Sequence, residues 1–158
     1  MKIIVPIAPQ QQERPRYAKR GRFVQVYDPK KTKIFKQQLG QFVKQYMREN
    51  ELQPFTEPIV VSVIFYRPLQ KSISRVEKQR RLGGIHPPSV KPDVSNYLKS
   101  FEDGLNGVLW KDDALIIKEI IEKRYSESPH LEIEVTEWSE RYGNTRQETN
   151  HDVSAKRE

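Results

Sequence analysis

Cysteine is missing from all 158 residues, which excludes a disulfide framework and any zinc site built on thiolates. Histidine is scarce at three, so a metal centre in this chain would rest on oxygen ligands and favour Mg²⁺ or Mn²⁺ over zinc. Long apolar runs are also missing. No segment approaches the roughly 18 consecutive apolar residues of a membrane span, and the opening MKIIVPIAPQ is too briefly apolar for a signal peptide. A soluble, intracellular protein is expected. Acid is sparse at the front of the chain, where residues 1–50 hold 12 Lys+Arg against 3 Asp+Glu.

What is present is uneven. The net charge of +7 divides into +9 for residues 1–50, +3 for 51–111 and −5 for 112–158. A polyanionic partner would therefore meet the N-terminal third and not the acidic C-terminal third. With 35% apolar and 31% charged residues, the chain supports one domain with a modest core.

KIIVPI (2–7) reads as a strand ending in a proline-punctuated loop. Beyond it, Arg14, Arg16, Lys19, Arg20 and Arg22 surround Tyr17 and Phe23, and FVQVY (23–27) reads as a short strand closing a hairpin-like excursion. Asp28-Pro29 is a helix start with an acceptor at the cap. Ile34, Phe35, Leu39, Phe42, Val43, Tyr46 and Met47 then recur at helical spacing, predicting a helix over 29–49. Its outer face carries Lys30, Lys31, Lys33, Lys36 and Lys44, either solvated or facing phosphates. The uncharged PIVVSVIFY (58–66) predicts an interior strand. Residues 67–91 read as a mobile basic loop with a short helix at 74–82, whose Lys71, Arg75 and Arg81 form a second basic group. LIIKEIIEKRY (115–125) and HLEIEVTEW (130–138) predict two strands forming an antiparallel pair. From Ser139 apolar content nearly vanishes, so residues 139–158 are expected to be a disordered tail.

The richest stretch is KPDVSNYLKSFEDGLNGVLWKDDALI (91–116). Val94, Tyr97, Leu98, Phe101 and Leu105 fall on one stripe and predict a helix over 93–106, ended by Asn106-Gly107. Asp93 stands at its cap, Asn96 and Lys99 follow on its polar side, and Asp112-Asp113 come shortly after it. Such a helix is about 20 Å long. Asp93 and the acidic pair can meet only if 107–111 runs back nearly straight along it; the composition VLW supports such an extended return, so the two are expected within one metal site, contact across a dimer being the alternative geometry. Carboxylates against a basic body suit a divalent ion held on a phosphodiester, with Lys99 neutralising phosphoryl charge or placing a water and Asn96 holding a ligand. Glu102 and Asp103 lie about 14 Å along the axis from Asp93 and are assigned to solvent or a partner. His86 is left outside the site. Taken singly, Asp93 would read as a cap and Asp112-Asp113 as a turn.

KPD-x-x-N-x-x-K, LNG and hydrophobic-x-Asp-Asp-x-x-Ile, preceded by P-x-x-x-x-R-P-R, Gly21 and YDPKKT, resemble the RusA family of Holliday junction resolvases over about residues 1–138. The resemblance implies an α+β fold, a single RusA-like domain with a mixed or antiparallel sheet packed with two main helices. It implies a homodimeric, Mg²⁺-dependent (Mn²⁺ also possible) cytoplasmic endonuclease of phage or prophage type. Such an enzyme binds four-way or branched DNA and nicks two opposed strands symmetrically. Asp93 and Asp113 match the family's catalytic carboxylates, Lys99 its functional lysine and Asn96 its asparagine, with Asp112 a neighbouring acid. The family's Asp-x-Asp-Asn becomes Asp-x-Ser-Asn here, so Ser95 offers a neutral, weaker ligand. DNA contact is expected from Arg14, Arg16, Lys19, Arg20, Arg22, Lys71, Arg75, Arg81 and Lys91. The alternative is a branched-DNA-binding protein of the same fold whose cleavage is weak or lost through Ser95. A third reading is a basic adaptor in recombination or packaging.

Overall fold

In a computed structural model, residues 1–139 are described; apart from Ser139, the expected disordered tail lies outside the described residues. The order of elements is β1 (Lys2–Val5), β2 (Arg16–Arg20), β3 (Phe23–Tyr27), α1 (Lys30–Glu49), β4 (Ile59–Pro68), α2 (Arg75–Leu82), α3 (Val94–Leu105), a 3₁₀ turn (Asp113–Leu115), β5 (Ile116–Ser126) and β6 (His130–Glu137). The fold is α+β, with a mixed four-stranded sheet and a separate two-stranded ribbon of β2 and β3.

Strand β4 is the interior strand that its uncharged sequence predicts. Ile59, Val60, Val61, Val63 and Phe65 are all buried. The sheet order is β1-β6-β4-β5, which corrects the expected pairing of β5 with β6. The two are joined by a short turn but lie on opposite sides of β4, which pairs antiparallel with β6 and parallel with β5. An uncharged strand buried on both faces needs a neighbour at each edge, and β4 takes both.

Alternation along β6 sends Leu131, Ile133 and Val135 to the buried face. Together with Ile3, Val5, Val61, Val63 and Phe65 they form one core with Phe35, Leu39, Val43 and Met47 of α1 and Tyr97, Phe101 and Leu105 of α3. Helices α1 and α3 cross at two glycines: a Cβ on Gly40 would lie 3.0 Å from the Gly104 carbonyl oxygen, so the backbones touch where a side chain would separate them. Phe65 stacks on Tyr97 at 5.3 Å and meets Phe101 edge-on at 5.8 Å, which fixes α3 against the central strand.

Two expected caps are not made. Pro29 occupies the cap of α1 and no side chain caps it. Asp28 instead accepts from Lys36 Nζ at 2.8 Å and Gln12 Nε2 at 2.9 Å. Lys36 is thus neither solvated nor free for phosphate, because it is shared between Asp28 and Asp103. The short helix expected at 74–82 is present as α2, with Ser74 capping Glu77 N–H at 3.2 Å.

Candidate active site

The candidate residues lie on α3, on the turn that follows it and on strand β5 packed against that helix. Successive strand residues face opposite sides, and the inward positions Glu119, Ile121, Lys123 and Tyr125 all lie on the more buried side of β5. Lys123 Nζ donates to the carbonyls of Val90 (3.0 Å) and Pro92 (3.1 Å). Arg67 Nη1 from β4 donates to those of Lys91 (2.9 Å) and Val90 (3.4 Å). Two cations from neighbouring strands therefore fix the loop immediately before Asp93, in which the Lys91–Pro92 peptide is cis.

Asp93 is the N-cap residue of α3 but makes no side-chain cap hydrogen bond, so the reading of Asp93 as a simple cap finds no support. Ser95, Asn96 and Lys99 follow on the exposed side of the helix. The loop at Gln10–Glu13 braces this turn. Gln12 N–H donates to the Asn96 carbonyl at 2.8 Å, the buried Ser100 hydroxyl donates to the Gln10 carbonyl, and Thr32 Oγ1 donates to the Gln11 carbonyl at 3.2 Å.

After α3 the chain does not run back extended. Val108 and Leu109 N–H groups return to the Leu105 carbonyl, and Gly107 N–H bonds the Trp110 carbonyl at 2.8 Å, making a compact turn. Gly107 has φ +74°, which glycine adopts without the cost of a Cβ. The turn buries Trp110 completely beside Phe101, and its indole Nε1–H donates to Asp113 Oδ1 at 2.7 Å. One oxygen of Asp113 is thereby fixed from the core. Asp112 behaves as a turn residue, its Oδ1 accepting from Ala114 N–H at 2.8 Å.

Lys99 is the centre of the charge pattern. Its ammonium donates to Asp103 at 2.9 Å, and this bond, reinforced by the more distant charges of Glu102 and Asp113, raises its pKa. Burial pushes the Asp103 carboxyl up, but Lys36 and Lys99 outweigh burial and hold it below the usual range. Glu102, set aside on its distance from Asp93, stands instead with the acids at the far end. Burial, followed by a hydrogen bond and repulsion from Glu119 and repulsion from Asp113, pushes it up to about 7. Among the described residues, Glu119 Oε1 is buried without a hydrogen-bond partner.

Sequence reasoning missed Glu119, Lys123 and Arg67, and placed Glu102 with solvent. The available signal was polar residues at inward positions of a strand otherwise lined by Ile121 and Tyr125. Among the described residues, no three His, Cys, Asp or Glu side chains converge closely enough to hold a metal ion. The donor chemistry nevertheless fits a hard divalent cation. Among the described residues, the Asp93 carboxylate makes no cap hydrogen bond, Asp113 accepts from Trp110 through Oδ1, and Glu102 and Lys99 both feel the Asp113 charge.

Of the expected DNA contacts, Arg14, Arg16, Lys19, Arg20, Arg22, Lys71, Arg75 and Lys91 are exposed. The first five lie on or beside the β2–β3 ribbon, Lys71 in the loop before α2, Arg75 at the first position of α2, and Lys91 in the loop before Asp93. Arg81 is engaged: it donates to Glu77 at 2.7 Å and Gln70 at 2.8 Å and lies 5.2 Å from the Tyr125 ring centre. His86, left outside the site, bonds Glu77 at 2.9 Å.

The α+β fold thus carries acids and a lysine on and after one helix and an exposed cationic ribbon. Residues 6–136 match the family model described as Endodeoxyribonuclease RusA, and the chain belongs to that family. It is also 36% identical over 141 residues to YqaN of Bacillus subtilis (strain 168), a protein described as uncharacterized; the match covers 88% of this chain and 97% of that one. The family is one of endonucleases acting on Holliday junctions. Among the described residues, no helix is long and apolar enough to cross a membrane.

Proposed function

We propose that this chain is a divalent-metal-dependent endonuclease that binds four-way DNA junctions as a homodimer and resolves them by paired symmetric nicks. The observation that carries the reading is Lys99. It lies on the exposed side of the helix that Asp93 begins, and its charge is felt together with that of Asp113. Because the compact turn leaves Asp113 near the end of α3 remote from Asp93, the two would hold Mg²⁺ or Mn²⁺ together across the dimer, one from each protomer, with Ser95 and Asp112 as weaker neighbouring oxygens. The bound ion would supply Lewis-acid stabilisation of the phosphoryl oxygens and a more acidic water. The chain's own residues do the positioning. Trp110 orients Asp113, Lys123 and Arg67 fix the backbone before Asp93, and Asn96 presents a neutral amide beside them. Lys99 is held by Asp103 and passes to an arriving phosphate only by exchanging one anionic partner for another. Two nicks related by the junction's two-fold symmetry call for two such sites in a symmetric dimer. A cytoplasmic protein of phage or prophage type fits the same reading.

A second reading, junction binding without cleavage, is favoured by one specific residue: Ser95 supplies a hydroxyl where the family pattern has a carboxylate. The test is strand nicking of a synthetic four-way junction in Mg²⁺ and Mn²⁺ against linear duplex, with Asp93→Asn and Asp113→Asn as controls. Symmetric nicks lost in both variants support the enzyme. Tight junction binding without nicks, restored by Ser95→Asp, would give the second reading.

A further inference from the structure

The β2–β3 ribbon has a composition that its fold does not require. From Arg14 to Tyr27 there are five Lys or Arg residues and no acid. Nine of the ten strand residues are exposed, Ala18 being the exception. Phe23 is 81% exposed, Tyr17 71% and Tyr27 45%. Exposed aromatics on so small an element add no core stability, and a lone two-stranded ribbon is marginal in water. The exposed rings therefore point to a ligand.

The register shows how they are arranged. Arg16 pairs with Tyr27, Ala18 with Gln25 and Arg20 with Phe23, so Arg16, Arg20, Tyr27 and Phe23 share one face. Phe23 follows the two-residue Gly21-Arg22 turn, where Gly21 has φ +63°, the conformation needed at the first position of a tight hairpin turn. The ribbon thus ends in an exposed phenyl ring flanked by Arg20 and Arg22.

Resting on the nuclease reading above, we propose that the β2–β3 ribbon enters the branch point of a DNA junction and that Phe23 stacks on a base exposed there. The two chemistries on this face have separable roles. Cations meet phosphates in any duplex and bind without regard to branching. An aromatic face needs an unstacked base, which a branch point offers and a continuous duplex does not. Phe23 is accordingly a specificity residue, while Arg16 and Arg20 contribute affinity to both substrates.

The experiment is binding by the full chain, in EDTA, of a four-way junction carrying 2-aminopurine at the branch point and of a linear duplex of the same sequence. Phe23→Ala is expected to weaken junction binding about tenfold, with duplex affinity and salt slope unchanged and the 2-aminopurine signal seen with the unaltered protein lost. Phe23→Trp should retain all three. Arg16→Ala with Arg20→Ala should weaken both substrates and lower the salt slope. Undiminished junction preference and fluorescence in Phe23→Ala would overturn the inference while leaving the nuclease reading intact. So would loss of dimer in sizing experiments, which would give this face to a second copy. If the unaltered protein shows no preference for the junction, the nuclease reading fails and the inference fails with it.

Discussion

Glu102 offers a quantitative test of the electrostatics between α3 and β5. Its carboxyl is pushed up to about 7 by burial and by Glu119 and Asp113, so the folded protein holds a proton there that the unfolded chain releases near pH 4.5. A raised folded-state pKa means that the contribution to stability is fully present below the unfolded value and is lost as pH rises through about 7. At about 1.4 kcal/mol per unit the shift has a ceiling near 3.5 kcal/mol. Because the side chain is partly open to solvent, screening reduces this to about 1 kcal/mol. Glu102→Gln removes the ionisation while keeping the shape and a donor for Glu119. In EDTA-containing buffer it should leave stability unchanged at about pH 5 and raise it by about 1 kcal/mol at about pH 8.5. For a domain of this size that corresponds to roughly 3–5 °C in Tm. Thermal and urea melts of both proteins at the two pH values measure it. Glu119→Gln removes one of the charges that push Glu102 up and should recover part of the same gain, and the double variant should gain less than the sum, because both changes act on one interacting pair. Equal changes at both pH values, or destabilisation of Glu102→Gln at high pH, would refute the reasoning.

Three further outcomes are expected. Gly40→Ala places a Cβ 3.0 Å from a backbone carbonyl of α3 that cannot rotate away. Overpacking should outweigh the helix-propensity gain and lower stability by about 1–2 kcal/mol in urea titrations. Trp110→Phe keeps an aromatic ring in the core but deletes the donor to Asp113; the nicking rate should fall about tenfold and the Mg²⁺ midpoint rise, with junction affinity in EDTA retained. Lys123→Met frees the Val90 and Pro92 carbonyls. It should raise the midpoint of a Mn²⁺ titration followed by electron paramagnetic resonance, an effect that Lys123→Arg reverses in part.

The elements were legible wherever periodicity and punctuation coincide. The apolar stripe of α3, the uncharged run of β4 and the alternation of β6 each have one structural solution. The order of strands was not, because a short turn between two strand-like runs reads as a hairpin whether or not a third strand intervenes. The interior character of β4 already implied two neighbours, and Ile116–Ser126 and His130–Glu137 were the long strands left to supply them. At the candidate site, Asp93, Asn96, Lys99 and Asp113 share a readable motif. Glu119 and Lys123 join it only through the packing of β5 beside α3, which no spacing in the sequence encodes. The distance argument set Glu102 apart from Asp93 along the helix, but could not see that Trp110 and the turn before it bring Asp113 towards Glu102.

The strand order also governs how the chain is made. In the sequence β1-β6-β4-β5, the two strands synthesised early, β1 and β4, do not touch each other; each waits for a partner beginning at residue 116 or later. A nascent chain stopped before β5 therefore has no four-stranded sheet in any part, and its most apolar strand stands with both edges open. Helices can form from local contacts while this happens, whereas the sheet must close late and at long sequence separation. During synthesis, β4 is consequently the segment most exposed to pairing with another chain, and release of β6 from the ribosome is the event that removes that exposure.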